Sequence, residues 1–244
     1  FQTNVIDFVN DNRDQSSYNI FGGSVALEGN TLDSRQFATS GRKERLVANV
    51  YTGKEHYKDG VYNEESPMSK YEYTQSWLQI SYELERYSQL SSQFTLGQYI
   101  HSYYSSRNFS QNYTATMMQA GTFAPTAHSK ISYNEAFRAN EYLALGVSPI
   151  FKFSKMLHFR LDMYGFSPLY EIKKQTIMMN NTERNIPYYG KFMRNFQYMG
   201  EAALVLHLPF ACISLYANGY SYPKKNFNLG LNIGYLLFNP KLID

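Results

Sequence analysis

Residues 227–237 read Phe227-Asn228-Leu229-Gly230-Leu231-Asn232-Ile233-Gly234-Tyr235-Leu236-Leu237. Phe, Leu, Leu, Ile, Tyr and Leu take the odd positions, and Asn and Gly take the even ones up to Gly234. A strand turns successive side chains to opposite faces, so this is a period-two segment with one apolar face. The same pattern recurs upstream. Ala211, Ile213, Leu215 and Ala217 alternate with Cys212, Ser214, Tyr216 and Asn218. Leu157, Phe159, Leu161 and Met163 alternate with His158, Arg160, Asp162 and Tyr164. Leu143, Leu145, Val147 and Phe151 oppose Ala144, Gly146, Ser148 and Lys152. Leu78, Ile80 and Leu84 oppose Trp77, Ser81 and Glu83; Phe94, Leu96 and Ile100 oppose Thr95, Gly97, Tyr99 and His101.

These patterns predict strands over 18–34, 42–54, 70–85, 92–106, 141–154, 157–168, 192–207, 211–221 and 226–238. Phe1 to Val9 is a further candidate strand, and Asn112 to Gln119 is unassigned. The predicted strands are long, about 10 to 15 residues, where globular strands cluster near about five or six. A membrane-crossing strand needs about 9 to 11. One face is apolar while the other carries Arg160, Asp162 and Glu83, which is the arrangement of a transmembrane β-barrel. A soluble lipocalin-like barrel or sandwich is the competing all-β solution, with shorter strands and fewer aromatic residues.

Composition agrees with the barrel. Aromatic residues make up 17% of the 244, including 23 Tyr and 17 Phe. Mean hydropathy is nevertheless negative, because alternating polar and apolar residues cancel. The longest helix-like apolar stretch, Ala202 to Ile213, is interrupted by His207 and Pro209. That excludes a spanning helix, which needs about 20 apolar residues. No charged and apolar leader opens the chain, so any secretory signal is expected to be removed or to lie outside it. The net charge is +3 with no basic run, so no nucleic-acid partner is expected. The single cysteine, Cys212, forms no internal disulfide and no thiolate cage.

Connections suggest the topology. Ser154 to Met156, Leu208 to Phe210 and Tyr87 to Ser92 are short; Lys54 to Ser69 and Leu169 to Lys191 are long and polar. Outer-membrane barrels have short periplasmic turns and longer external loops. This assignment sends the last strand toward the periplasm. About 9 to 11 strands result, and an open edge in lipid leaves backbone groups unpaired, so the chain is expected to be part of a larger barrel. Arg107 to Arg138 is too long for a hairpin, so 107–140 is expected to fold into the lumen.

Local motifs then resemble a family. Leu32-Asp33-Ser34-Arg35-Gln36-Phe37-Ala38-Thr39-Ser40-Gly41 is similar to the Asp-x-Arg turns of bacterial surface-antigen barrels, the superfamily of outer-membrane assembly and two-partner-secretion translocators. Phe137-Arg138-Ala139-Asn140 stands where that superfamily carries Val-Arg-Gly-Tyr/Phe on a lumen loop, and five predicted strands follow it, as in the family. Phe159-Arg160-Leu161-Asp162-Met163-Tyr164-Gly165 resembles its Phe-x-Asp-x-Gly strand. With Phe123-Ala124-Pro125-Thr126, Tyr142-Leu143-Ala144-Leu145-Gly146 and Phe166-Ser167-Pro168, the set resembles the C-terminal barrel of bacterial patatin-like phospholipases. The likeness covers the chain from about Asn19 onward. Ala139 stands in place of the family glycine, and 244 residues are too few for the family's sixteen strands.

The resemblance implies one outer-membrane β-barrel domain over 1–244. It would anchor, and export or position, a patatin-like lipid acyl hydrolase lying N-terminal to this chain. The alternative is a translocation or assembly barrel without enzyme activity. Implied partners are outer-membrane lipids and other outer-membrane or periplasmic proteins.

Candidate chemistry is sparse. Lipolysis of the patatin type needs Gly-x-Ser-x-Gly on a strand-to-helix elbow. The nearest segment is Gly146-Val147-Ser148-Pro149-Ile150, inside a predicted strand. His101 and His158 face inward by parity, His56 is placed in a loop, and His207 sits near a turn; none has a defensible serine partner. Asp7, Asp11, Asn12 and Asp14 lack the calcium-loop glycine; Asp59-Gly60 has it, but Tyr57 and Ser66 stand at ligand positions. No metal or cofactor is expected. The inward charges are more informative: Arg138 on the loop is expected to pair with Asp162, or else Glu83, and so hold the loop as a plug. Tyr51, Tyr71, Tyr73, Tyr99, Tyr103, Tyr104, Tyr216, Tyr220, Tyr222, Tyr235 and Phe238 are candidates for two aromatic girdles.

Overall fold

The structure is a computed structural model that describes residues 15–58, 70–179, 182–222 and 226–235. Phe1 to Val9, the Asp7 to Asp14 oxygens, Asp59-Gly60, Ser66 and Phe238 lie outside them.

The chain is all-β, built on one large antiparallel sheet. Its strands are β1 (Gln15–Asn30), β2 (Gly41–Lys58), β3 (Lys70–Gln89) and β4 (Phe94–Ser105). A long insert follows, with α1 (Tyr113–Gln119), β5 (Gly121–Thr122), α2 (Ala127–Ile131) and β6 (Arg138–Ala139). Then come β7 (Glu141–Lys152), β8 (Leu157–Pro168), β9 (Tyr170–Met179), β10 (Thr182–Phe192), β11 (Gln197–His207), β12 (Ala211–Tyr220) and β13 (Asn226–Tyr235). Nine of them pair in the order β1-β2-β3-β4-β7-β8-β11-β12-β13, every neighbour antiparallel. Strands β1 and β13 are the edges among the described residues. With nine alternating strands they run the same way, so an antiparallel seam between these two is not available.

The long polar connection expected over Leu169 to Lys191 carries secondary structure: β9 and β10 pair across it as a separate hairpin. Its charges (Glu171, Lys173, Lys174, Arg184) masked the alternation, and Pro187 lies on β10, which pairs on one side only, the kind of edge strand where proline is found. His56 is not in a loop; it lies in β2, which runs to Lys58, and its Nδ1 is 3.0 Å from Glu72 on β3.

Strand β8 shows the organising pattern, with strictly alternating burial from Leu157 to Asp162. His158, Arg160 and Asp162 are buried on one face. Apolar residues crowd the other face of the sheet and are exposed: Val25 on β1, Val50 on β2, Leu145 on β7, Leu215 on β12 and Leu229 on β13, the last 74% exposed. Monomeric soluble proteins rarely expose so contiguous an apolar surface.

The sheet curls around its polar face. The 31–40 connection between β1 and β2 reaches the opposite edge: Gln36 lies against Gly234 of β13, and Phe37 packs with Ala203, Val205 and Cys212 of β11 and β12. Gly41 closes this connection at φ +95°, where a β-carbon would collide with the Thr31 carbonyl. The 106–140 insert fills the rest. Phe123 and Phe137 pack against Tyr142, Phe166 and Met199 of the sheet, with Phe123 1% exposed and its ring stacked 5.7 Å from that of Phe166. This aromatic cluster is the main core of the fold. Truncating Phe123 to Ala is expected to cost about 3–5 kcal/mol.

Candidate functional site

The concave face of the sheet holds the charged groups. Arg160 and Asp162 sit two apart on β8, so both project inward. Arg160 Nε donates to Asp162 Oδ2 at 2.8 Å, and Nη2 to Oδ1 at 2.8 Å. Arg160 Nη2 also donates to the Tyr87 hydroxyl at 3.3 Å, and its guanidinium lies 5.4 Å from the Phe37 ring centroid. Glu201 on β11 stands directly opposite Asp162 in register and is 3% exposed. Among the described residues, Arg160 Nη1 and Glu201 Oε2 have no hydrogen-bond partner. Lys43 Nζ lies 3.1 Å from Glu83 Oε2, and the Tyr99 hydroxyl donates to Glu83 Oε1 at 3.0 Å. A cavity of about 500 Å³ opens among these residues, Glu85 and Lys130. Arg35 also lines it, so four cations and four carboxylates of the described residues surround it.

Arg138 does not pair with Asp162 or with Glu83. Its Nη1 donates to the carbonyls of Met117 at 3.0 Å and Met118 at 3.3 Å, and its guanidinium stacks 4.7 Å from the Tyr133 ring centroid. Those carbonyls belong to the last turn of α1, where a cation satisfies orphan acceptors and meets the negative end of the helix. The β5–β6 bridge, with Thr122 opposite Arg138, sets Arg138 beside that helix end. Both predicted acceptors are taken by nearer cations, Arg160 and Lys43.

The insert is held by other contacts. Arg107 lies 4.3 Å from the Trp77 ring centroid. Tyr142 donates to the Thr122 carbonyl at 3.1 Å, and Asn140 Nδ2 to the Tyr189 hydroxyl at 3.1 Å. His128 Nδ1 sits 2.7 Å from the Tyr220 hydroxyl. Asn112 caps α1, and Thr126 with Ser129 forms a capping box on α2. Several girdle candidates belong to this interior. Tyr99, Tyr103 and Tyr220 pack on the core cluster, and Tyr51 stacks on Trp77; Tyr71, Tyr104 and Tyr222 are exposed.

One serine–histidine contact was not legible in the sequence. Ser81 on β3 and His101 on β4 face inward, with Oγ and Nε2 3.1 Å apart. Rings of Tyr99, Phe123 and Tyr142 surround the imidazole. Glu83, the nearby carboxylate, is bound to Lys43 and Tyr99, so among the described residues no carboxylate is hydrogen-bonded to the imidazole. Ser148, in the segment nearest to Gly-x-Ser-x-Gly, is buried within extended β7 rather than raised on an elbow. His158 stacks on His207 at 5.2 Å beneath the 31–40 connection. Among the described residues no group of three His, Cys, Asp or Glu side chains is placed to hold a metal.

The 31–40 connection has its own anchor. Asp33 accepts from the Thr39 N–H at 2.9 Å and the Thr39 hydroxyl at 2.8 Å. Partial burial opposes its ionisation, but these bonds and those from Ser40 outweigh it and hold the carboxyl below its ordinary range.

No family model, no curated protein and no solved structure matches the chain.

Proposed function

We propose that this chain is the wall of an outer-membrane β-barrel whose lumen is closed by its own 31–40 and 106–140 segments. The observation that carries this reading is the inverted distribution of polarity. The outward face exposes Val25, Val50, Leu145, Leu215 and Leu229, while the inward face buries Arg160, Asp162 and Glu201. That is the pattern of a sheet with lipid outside and a polar interior. Strands β2 and β3, at 18 and 20 residues, exceed the length a bilayer crossing needs. Edges β1 and β13 run the same way, so an odd number of further strands would close the sheet antiparallel throughout.

In this reading the chain is an anchor rather than an open pore. An aromatic core between insert and wall, with hydrogen bonds along it, opposes easy release of the plug. The cargo follows from the motif resemblance: a patatin-like lipid acyl hydrolase held N-terminal to the barrel. The test is refolding of 1–244 from urea into phosphatidylcholine vesicles, followed by flotation and by gel migration with and without heating. Co-flotation and heat-modifiable migration are expected. A detergent-free soluble monomer that stays at the bottom of the gradient would support the lipocalin-like alternative.

A further inference from the structure

Resting on that membrane reading, we propose that the outward face of β8, β11 and β12 seats one anionic, phosphate-bearing lipid. Its head group would lie on Lys191 and Arg194, and one acyl chain in the groove beside them. An apolar groove of about 1090 Å³ runs along this face. Gly200, Ala202, Ala217 and Gly219 line it, flanked by Leu145 and Met163. Among the described residues a β-carbon at Gly200 would meet only the Asp162 carbonyl, at the ordinary contact distance of 3.7 Å. None of them requires a glycine there, so the space is open to an occupant from outside. At Gly165 the reverse holds: the Phe196 ring lies 2.6 Å from where a β-carbon would stand. Phe196 therefore closes one end of the groove.

The second feature lies on the same segment. Met193 and Phe196 border the groove, while Lys191, Arg194 and Asn195 border an adjoining polar pocket. Met193 adopts φ +46°, and its N–H is held by the Leu169 carbonyl at 2.8 Å, which fixes this turn. Lys173 in that pocket is neutralised by Glu171 at 3.3 Å, and Asn195 donates to the same carboxylate at 2.8 Å. Lys191 and Arg194 form no ion pair among the described residues and are exposed. Two unneutralised cations at the mouth of an apolar groove complement an anionic head on an apolar tail.

The experiment uses 1–244 refolded into phosphatidylcholine vesicles containing phosphatidylglycerol. After flotation, the protein is extracted into mild detergent and its retained lipids are counted by native mass spectrometry. One phosphatidylglycerol is expected to be retained in preference to phosphatidylcholine. The Lys191→Glu/Arg194→Glu variant is expected to float normally and retain about tenfold less of it. Gly200→Leu, or Ala202→Leu if the first fails to fold, fills the groove and is expected to lose it as well. Equal retention of the two lipids, or unchanged retention by the charge-reversed variant, overturns the proposal. Retention unaffected by either groove variant overturns the acyl seat. A chain that does not float overturns the membrane reading and this proposal with it, whereas flotation with indiscriminate retention overturns the lipid site alone.

Discussion

Arg160 and Asp162, two residues apart on β8, hold each other through two 2.8 Å bonds with both side chains 5% exposed. The pair faces Glu201 across the strand, so the guanidinium is the charge that keeps two neighbouring carboxylates tolerable. Arg160→Ala is expected to destabilise the folded chain by about 3–5 kcal/mol, because it leaves buried carboxylates without a counter-ion. Urea unfolding in lipid vesicles measures this. Arg160→Ala combined with Asp162→Asn is expected to lose less than Arg160→Ala alone, and additive losses would contradict the coupling.

Arg138 acts on α1 rather than on the charged face of the sheet. Arg138→Ala is expected to cost about 0.3–2 kcal/mol by uncovering the last-turn carbonyls, and to speed protease cleavage between Arg107 and Arg138. Arg138→Lys is expected to restore part of the protection, since a point charge still meets the helix end. Timed proteolysis of the folded chain checks this, and equal cleavage rates for parent and Arg138→Ala would contradict it.

The two faces of the sheet were legible because period two is a property of the backbone. Once Leu161 is outward, Asp162 is inward. The course of the insert was not legible. Arg138 and Asp162 could each be assigned to the interior, yet nothing in alternation says that Arg160, on the same strand, reaches Asp162 first. The helices α1 and α2 span seven and five residues, under two turns each and too short for a repeating apolar face, so Asn112 and the Thr126–Ser129 box were the available signs. The tuck of 31–40 against β11 and β12 depends on the curl of the whole sheet, which no local pattern encodes.

Asp33 makes the stability of the 31–40 connection pH-dependent. Its folded pKa lies below the ordinary value, so its contribution is full above the unfolded pKa, about 3.9. That contribution is lost as pH falls through the depressed folded value. Asp33→Asn is therefore expected to be less stable than the parent at neutral pH and to converge on it in acid. Unfolding midpoints from pH 7 down to pH 2 test this, and a constant gap between the two would contradict it.

Ser81 and His101 are expected to be structural. Purified 1–244 should not hydrolyse a short-chain p-nitrophenyl ester, and Ser81→Ala should leave that result unchanged. Turnover abolished by Ser81→Ala would contradict a structural role for the pair.

The exposed apolar face is expected to lie in lipid. Spin labels placed singly at Leu215, Leu229, Leu231 and Ile233, in protein refolded into phosphatidylcholine vesicles, test it most directly. All four side chains are on the outward face of β12 and β13. The account predicts high collision rates with oxygen and low rates with a water-soluble nickel chelate at all four, and loss of that preference at Ser214 and Asn232 between them. Leu231→Arg is expected to lower folding stability by about 2–4 kcal/mol in the same vesicles. Labels at all four positions that collide freely with the nickel chelate would contradict the account.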